Sequence, residues 1–222
     1  MTVAVSVEPA YQNGNDNGVS GYPAPASTRD TRVSAPSAWW VLIAGAIGLA
    51  ASMTLTVEKI DILLNPSYQP SCNLNPVISC GSVMVTSQAS LLGFPNPLLG
   101  IVAFTVVLVA GVLAVSKVAI PQWFWIGLTA GIFVGAVFVH WLIFQSLYRI
   151  GALCPYCMVV WAVTITLLVV VGSIAFRPVL ESRGGTGGRL LYQWRWSLTT
   201  LWFTAVFLLI MVRFWDYWST LL

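Results

Sequence analysis

Apolar and polar residues in this chain are segregated into long blocks rather than alternating within single turns of helix or strand. Five stretches contain no Asp, Glu, Lys or Arg: Ala38 to Val57, Pro97 to Ser116, Val118 to Tyr148, Ile150 to Phe176 and Trp196 to Val212. A helix that crosses a bilayer needs about 20 mostly apolar residues. The pattern therefore predicts five transmembrane helices. The fifth is the shortest, and Trp194, Trp196, Trp202, Trp215 and Trp218 suit interfacial anchoring at its ends.

The polar blocks between the spans set the organisation. Residues 1–37, including "EPAYQNGNDNGVSGYPAPASTRDTRVSAPS", are rich in Gly, Pro, Ser and Asn and lack the apolar core of a signal peptide. They read as a disordered tail on the cytoplasmic side. A helical domain follows over residues 38–176, with an outer loop at 58–96. Residues 177–195 form a basic linker in which "SRGGTGGR" is the soft part, and residues 196–222 hold the fifth helix and the C-terminus. Within the outer loop, "GSVMVTSQASLLGF" is semi-apolar but too short to span, which predicts a short helix at the membrane interface. Glu58, Lys59 and Asp61 fall just beyond the first apolar stretch and read as solvated helix-end charges.

Composition agrees with this reading. Of 222 residues, 58% are hydrophobic and only 8% charged, against about 25% charged in soluble domains. Cytoplasmic segments carry the excess of Lys and Arg. With the N-terminus inside, the inner segments hold Arg29, Arg32, Lys117, Arg177, Arg183, Arg189 and Arg195, and the outer ones only Lys59, Arg149 and Arg213. That orientation predicts a multi-pass protein of the cytoplasmic membrane with the C-terminus outside. The net charge of +3 points to no particular partner, and nucleic-acid binding has no support.

The same orientation puts Cys72, Cys80, Cys154 and Cys157 on the extracytoplasmic side, where disulfides persist. Four cysteines allow three full pairings. Structural disulfides in a membrane scaffold are the plainest reading, but the spacing argues for chemistry. A CxxC disulfide closes too short a loop to constrain much chain, and such pairs are more often redox-active or metal-binding. Zinc would need four ligands, and the single histidine, His140, lies inside the third span. In "CPYC" Pro155 suits a first helical turn, where the helix dipole favours a thiolate. The helix then runs into lipid, with Cys157 one turn deeper than Cys154. A small lipid-dissolved two-electron carrier that reacts with thiolates is a quinone. In the outer loop, Asn73, Asn75 and Pro76 favour turns that let Cys72 and Cys80 approach each other.

Taken together, Cys72, "NxNP", Cys80, Thr86-Ser87, "GFPNPLLG" and "CPYC" opening a helix resemble the vitamin K epoxide reductase family in its bacterial form, over roughly Trp39 to Ser173. The resemblance implies an all-α, four-helix membrane bundle around a quinone, menaquinone or ubiquinone, here with a fifth helix added. It implies that Cys72 exchanges with a partner protein and that Cys80 passes electrons to Cys154 through a mixed disulfide. Cys154 and Cys157 would form the active-site pair, with Cys157 nearest the quinone.

Asn96 matches an Asn that hydrogen-bonds a quinone carbonyl in some members. Thr86 or Ser87 falls where the family often has a hydroxyl near the active cysteines. Trp161 stands where some animal members have a quinone-contacting Tyr, and its indole N–H is a donor. Many bacterial members continue into a thioredoxin-like domain; this chain ends at Leu222, so the expected partner is a separate DsbA-like thioredoxin-fold protein. His140 is a further candidate for a quinone or proton role, set against a neutral histidine bonded to a neighbouring helix. The alternatives are vitamin K epoxide reduction proper and a non-enzymatic scaffold.

Overall fold

The computed structural model describes residues 30–31, 33–65, 67–91, 93–182 and 186–220. Most of the predicted N-terminal tail lies outside these residues. Among the described residues, five helices are long and apolar enough to cross a membrane: α1 (Ala35–Leu64), α3 (Pro97–Val115), α4 (Gln122–Gln145), α5 (Pro155–Ser182) and α6 (Thr186–Arg213). The described residues also include two short helices, α2 (Cys80–Met84) and α7 (Trp215–Trp218), and a 3-10 turn at Ser87–Ser90. The only regular strand pairing among the described residues is two residues long: β1 (Asp30–Thr31) lies antiparallel to β2 (Ile120–Pro121). It ties the chain before α1 to the α3–α4 connection, so these two segments lie at the same end of the bundle.

Helices α1, α3, α4 and α5 pack around a core that includes Val41, Phe104, Val107, Trp125, Leu167 and Val171. Outward-facing positions such as Val102, Val109, Phe133, Val134 and Val137 are exposed and apolar, as a lipid-facing surface requires. Buried hydroxyls inside the spans bond back to their own helix: Thr56 donates to the Ser52 carbonyl at 2.8 Å and Thr129 to that of Trp125 at 2.7 Å.

Small residues let α1 and α3 approach closely. A Cβ added at Gly111 would sit 2.6 Å from the backbone of Leu42, and one at Gly45 2.9 Å from the backbone of Leu108. Helix α6 is the least buried of the five and packs by Ile210 and, just past its end, Phe214 against Val139, Ile143, Leu147 and Trp161.

Two segments differ from the sequence reading. Helix α1 continues to Leu64, beyond the charge-free stretch, and Glu58 and Lys59 on it are buried rather than solvated. Charged side chains end the hydropathy signal without ending the helix, because loop residues folded against this turn give them hydrogen-bond partners. The linker is also shorter than expected: α5 runs to Ser182 and α6 begins at Thr186, with Gly187 and Gly188 in its first turn. Residues 183–185 lie outside the described residues.

Candidate functional site

The site is assembled at the end of the bundle where α1, the 65–96 loop and the opening of α5 meet. Helix α4 ends in a π-helical turn, Ser146–Ile150, and Gly151 then adopts φ 72°, a left-handed conformation that glycine accepts without strain. This reverses the chain so that Leu153 runs alongside the 65–96 loop. Leu153 and Ile78 form a parallel bridge, with the Leu153 amide donating to the Val77 carbonyl at 2.8 Å and the Ser79 amide to the Leu153 carbonyl at 2.9 Å. The bridge joins the residue before Cys154 to a residue two before Cys80.

Side chains of the loop hold their half of the bridge in shape. Asn75 Oδ1 accepts from the amides of Val77 at 3.0 Å and Ile78 at 2.7 Å, a side-chain turn. Asn73 Oδ1 accepts from the Gly81 amide at 2.9 Å, and Ser79 caps α2 by accepting from the Ser82 amide at 3.2 Å. Both asparagines belong to the turn chemistry read in the sequence. The bridge itself had no sequence signal, since it depends on where the α4–α5 connection lands.

Cys72 and Cys80 form a disulfide, while Cys154 and Cys157 are free thiols. Cys154 Sγ lies 3.0 Å from Cys80 Sγ, and the sulfurs of Cys72, Cys80 and Cys154 all lie within 4.8 Å of one another. With two of the three tied to each other, they are a thiol beside a disulfide rather than a set of thiolate metal ligands. Leu55 and Met84 pack around them.

The Cys154 thiol is held below its ordinary pKa, first by a hydrogen bond from the Cys157 side chain. The amides of Cys157 and Tyr156 at the start of α5 act in the same direction; burial and the negative charge of Glu58 oppose them. A lowered pKa makes Cys154 a better leaving group and supplies more thiolate near neutral pH.

Cys157 faces the other way, onto a cavity of about 580 Å³ lined by residues of α1, α3, α4 and α5. Its wall is apolar apart from a few groups, among them Lys59, Asn96 and Thr164, and Trp161 lines it as well. Size and lining are those of a small-molecule site, roughly 300–1,000 Å³ with few polar groups. They fit a flat apolar ring that carries two carbonyl oxygens.

The predicted residues divide accordingly. Asn96 and Trp161 line the cavity with Cys157. Asn96 also staples the loop, donating from Nδ2 to the Gln88 carbonyl at 2.6 Å and accepting from the Leu91 amide at 3.1 Å. Thr86 and Ser87 do not line the cavity; the Thr86 hydroxyl donates to the Val83 carbonyl, and Ser87 is exposed. His140 does not line it either. Its Nε2 accepts from Trp202 Nε1 at 2.9 Å, which leaves Nδ1 as the donor to the Ala136 carbonyl at 2.7 Å. The His140 ring therefore clamps α4 to α6. Lys59, read as solvated in the sequence, lines the cavity and donates from Nζ to the Met84 carbonyl at 2.5 Å, anchoring the helix that bears Cys80. Glu58 is buried beside the loop cysteines. The signal for both was available in the helical spacing of Leu55, Glu58, Lys59 and Ile62.

A membrane-spanning helical bundle that sets a loop disulfide against a CxxC pair, with that pair on the wall of an apolar cavity, is a multi-pass protein equipped for thiol–disulfide chemistry. The description of the vitamin K epoxide reductase family matches residues 39–172, well over half of the chain, and the chain belongs to that family. Members of this family are oxidoreductases that generally use quinones. No curated protein matches the chain at a significant level.

Proposed function

We propose that this protein is a membrane thiol–quinone oxidoreductase that reoxidises an extracytoplasmic DsbA-like thioredoxin-fold protein and so drives disulfide formation. The observation that carries this reading is the chain of contacts: a loop disulfide, Cys154 at 3.0 Å from Cys80, and Cys157 on the cavity wall. Menaquinone or ubiquinone, when bound, supplies the acceptor for two electrons and two protons.

The residues act in sequence. A thiolate of the reduced partner attacks Cys72 in the Cys72–Cys80 disulfide, and Cys80 leaves. Cys80 attacks Cys154 of an inner Cys154–Cys157 disulfide and releases Cys157. Cys72, freed as the partner's own disulfide closes, then recovers Cys80, which leaves Cys154 and Cys157 reduced. That is the arrangement in the structure: loop pair oxidised, inner pair as thiols. Each step is an exchange between neighbouring sulfurs. Cys157 is the thiol on the cavity wall that meets the acceptor, and Asn96, held in the same wall by its loop bonds, has one amide hydrogen left to donate there. Trp161 closes the cavity wall and excludes water.

The test is Cys157→Ala in the full chain, with quinone reduction by a reduced thioredoxin-fold protein followed spectroscopically. Loss of turnover is expected; turnover at the parent rate overturns the assignment. Cys80→Ala tests the partner, because a disulfide-linked adduct should then accumulate on Cys72.

A further inference from the structure

Leu55, Glu58, Lys59 and Ile62 share one face of α1 by their three- and four-residue spacing. Leu55 and Ile62 both pack against the cluster of Cys72, Cys80 and Cys154, so Glu58 and Lys59 occupy the layer between them. The two charged side chains then diverge. Lys59 turns to the Met84 carbonyl and the cavity. Glu58 turns to the loop: Oε1 accepts from the Ser71 hydroxyl at 2.5 Å and the Ser71 amide at 3.3 Å, immediately before Cys72.

Glu58 is only 6% exposed, and its Oε2 is buried with no hydrogen-bond partner among the described residues. A carboxylate in such a place is costly unless it is compensated. Holding Ser71 needs one acceptor oxygen, which a glutamine would provide without the charge. What a glutamine lacks is the ability to take up a proton. The charge of Glu58 is also felt at Cys154, so the carboxylate lies within electrostatic reach of the sulfur that exchanges with the loop.

We propose that Glu58 carries the proton that must move between Cys154 and Cys72 when the inner thiol and the loop disulfide exchange. The inference rests on the relay reading above. From the state in the structure, Cys154 gives its proton to Glu58 Oε2 and its thiolate attacks Cys80 Sγ. The Cys80–Cys154 bond forms as the Cys72–Cys80 bond breaks. The bonding pair leaves on Cys72 Sγ, which takes the proton back from Glu58. One thiol and one disulfide enter and one of each leaves, with no net oxidation. In the direction of electron flow from a partner, the same step runs backwards, and Glu58 moves a proton from Cys72 to Cys154.

The titratable groups around Glu58 are Lys59 and Asp61 on α1, Tyr68 in the loop and Cys154 before α5, with the Cys72–Cys80 disulfide beside them. Lys59 is engaged by Met84. Tyr68 is raised above the ordinary phenol value, first by the neighbouring Glu58 carboxylate.

The exchange is isolated in full-length Cys157→Ser protein, which retains a donor beside Cys154 but cannot close the inner disulfide. The appearance of a free Cys72 thiol is trapped with maleimide and read by mass spectrometry from about pH 6 to 9, the interval in which thiols begin to ionise. With Glu58 as the local base the rate should be nearly flat across this range. Glu58→Gln, which keeps the acceptor for Ser71, should slow it by about 100-fold near neutrality. Its rate should then rise with the Cys154 thiolate fraction and level off once that thiol is ionised. Glu58→Asp keeps a carboxylate and should keep the flat profile at a reduced rate.

A Glu58→Gln protein with the parent's rate and profile overturns the proposal while leaving the relay intact. So does a Glu58→Asp protein that behaves like Glu58→Gln. A parent in which Cys72 is never released overturns the relay itself.

Discussion

The placement of Cys80 against Cys154 rests on the Asn75 side-chain turn, and removing that turn has a calculable effect. Asn75 Oδ1 accepts two backbone hydrogen bonds, at 3.0 Å from Val77 and 2.7 Å from Ile78, in the segment that forms the bridge to Leu153. Each such bond is worth about 1 kcal/mol net, so Asn75→Ala should weaken loop docking by about 2 kcal/mol. At about 1.4 kcal/mol per factor of ten, that is up to about 30-fold in the docked population.

The readout is the effective concentration of Cys80 towards Cys154. It is measured in Cys72→Ala, Cys157→Ala protein by equilibrating the single remaining cysteine pair against dithiothreitol. Asn75→Ala should lower it by a factor approaching 30, and Asn75→Asp, which retains an acceptor, should stay near the parent. An Asn75→Ala protein with the parent's effective concentration would refute the reasoning, because the loop would then be positioned by something other than its side-chain turn.

Two further outcomes follow from the same structure. Gly111→Ala places a methyl group 2.6 Å from the Leu42 backbone and should cost about 1–3 kcal/mol of stability by forcing α1 and α3 apart. An unchanged thermal midpoint in detergent would contradict the packing. The lowered pKa of Cys154 means that its thiolate persists to lower pH than that of an ordinary cysteine, so its alkylation should rise at lower pH than that of a model thiol. Cys157→Ala removes the first cause of the shift and should move the alkylation midpoint upward, whereas Cys157→Ser should hold it nearer the parent; a midpoint that ignores both changes would remove Cys157 as the cause.

Much of the architecture was legible in the chain because lipid imposes a simple rule. Every backbone group in the bilayer core must be satisfied within its own segment, so about 20 residues without charge mark a spanning helix. The five spans, the CxxC at a helix start and the turn-forming asparagines are all local properties, and local properties survive in a one-dimensional pattern. The same rule misled at the end of α1. Glu58 and Lys59 look like the boundary of a span when hydropathy is read alone, yet the helix carries on for six residues past Glu58 and both side chains are buried.

What only the tertiary structure decided is where distant segments meet. Cys80 and Cys154 are 74 residues apart, and no spacing rule brings them to 3.0 Å; the π-turn, the left-handed Gly151 and the Ile78–Leu153 bridge do so together. His140 and Trp202 are 62 residues apart, and their pairing turned a candidate for cavity chemistry into a clamp between helices. Residue types and their periodicity determined that this chain spans a membrane and carries two cysteine pairs at one end. Whether a given polar side chain faces lipid, a cavity or a sulfur depends on which helix packs beside it, because burial and hydrogen-bond partners come from neighbours in space and not in sequence.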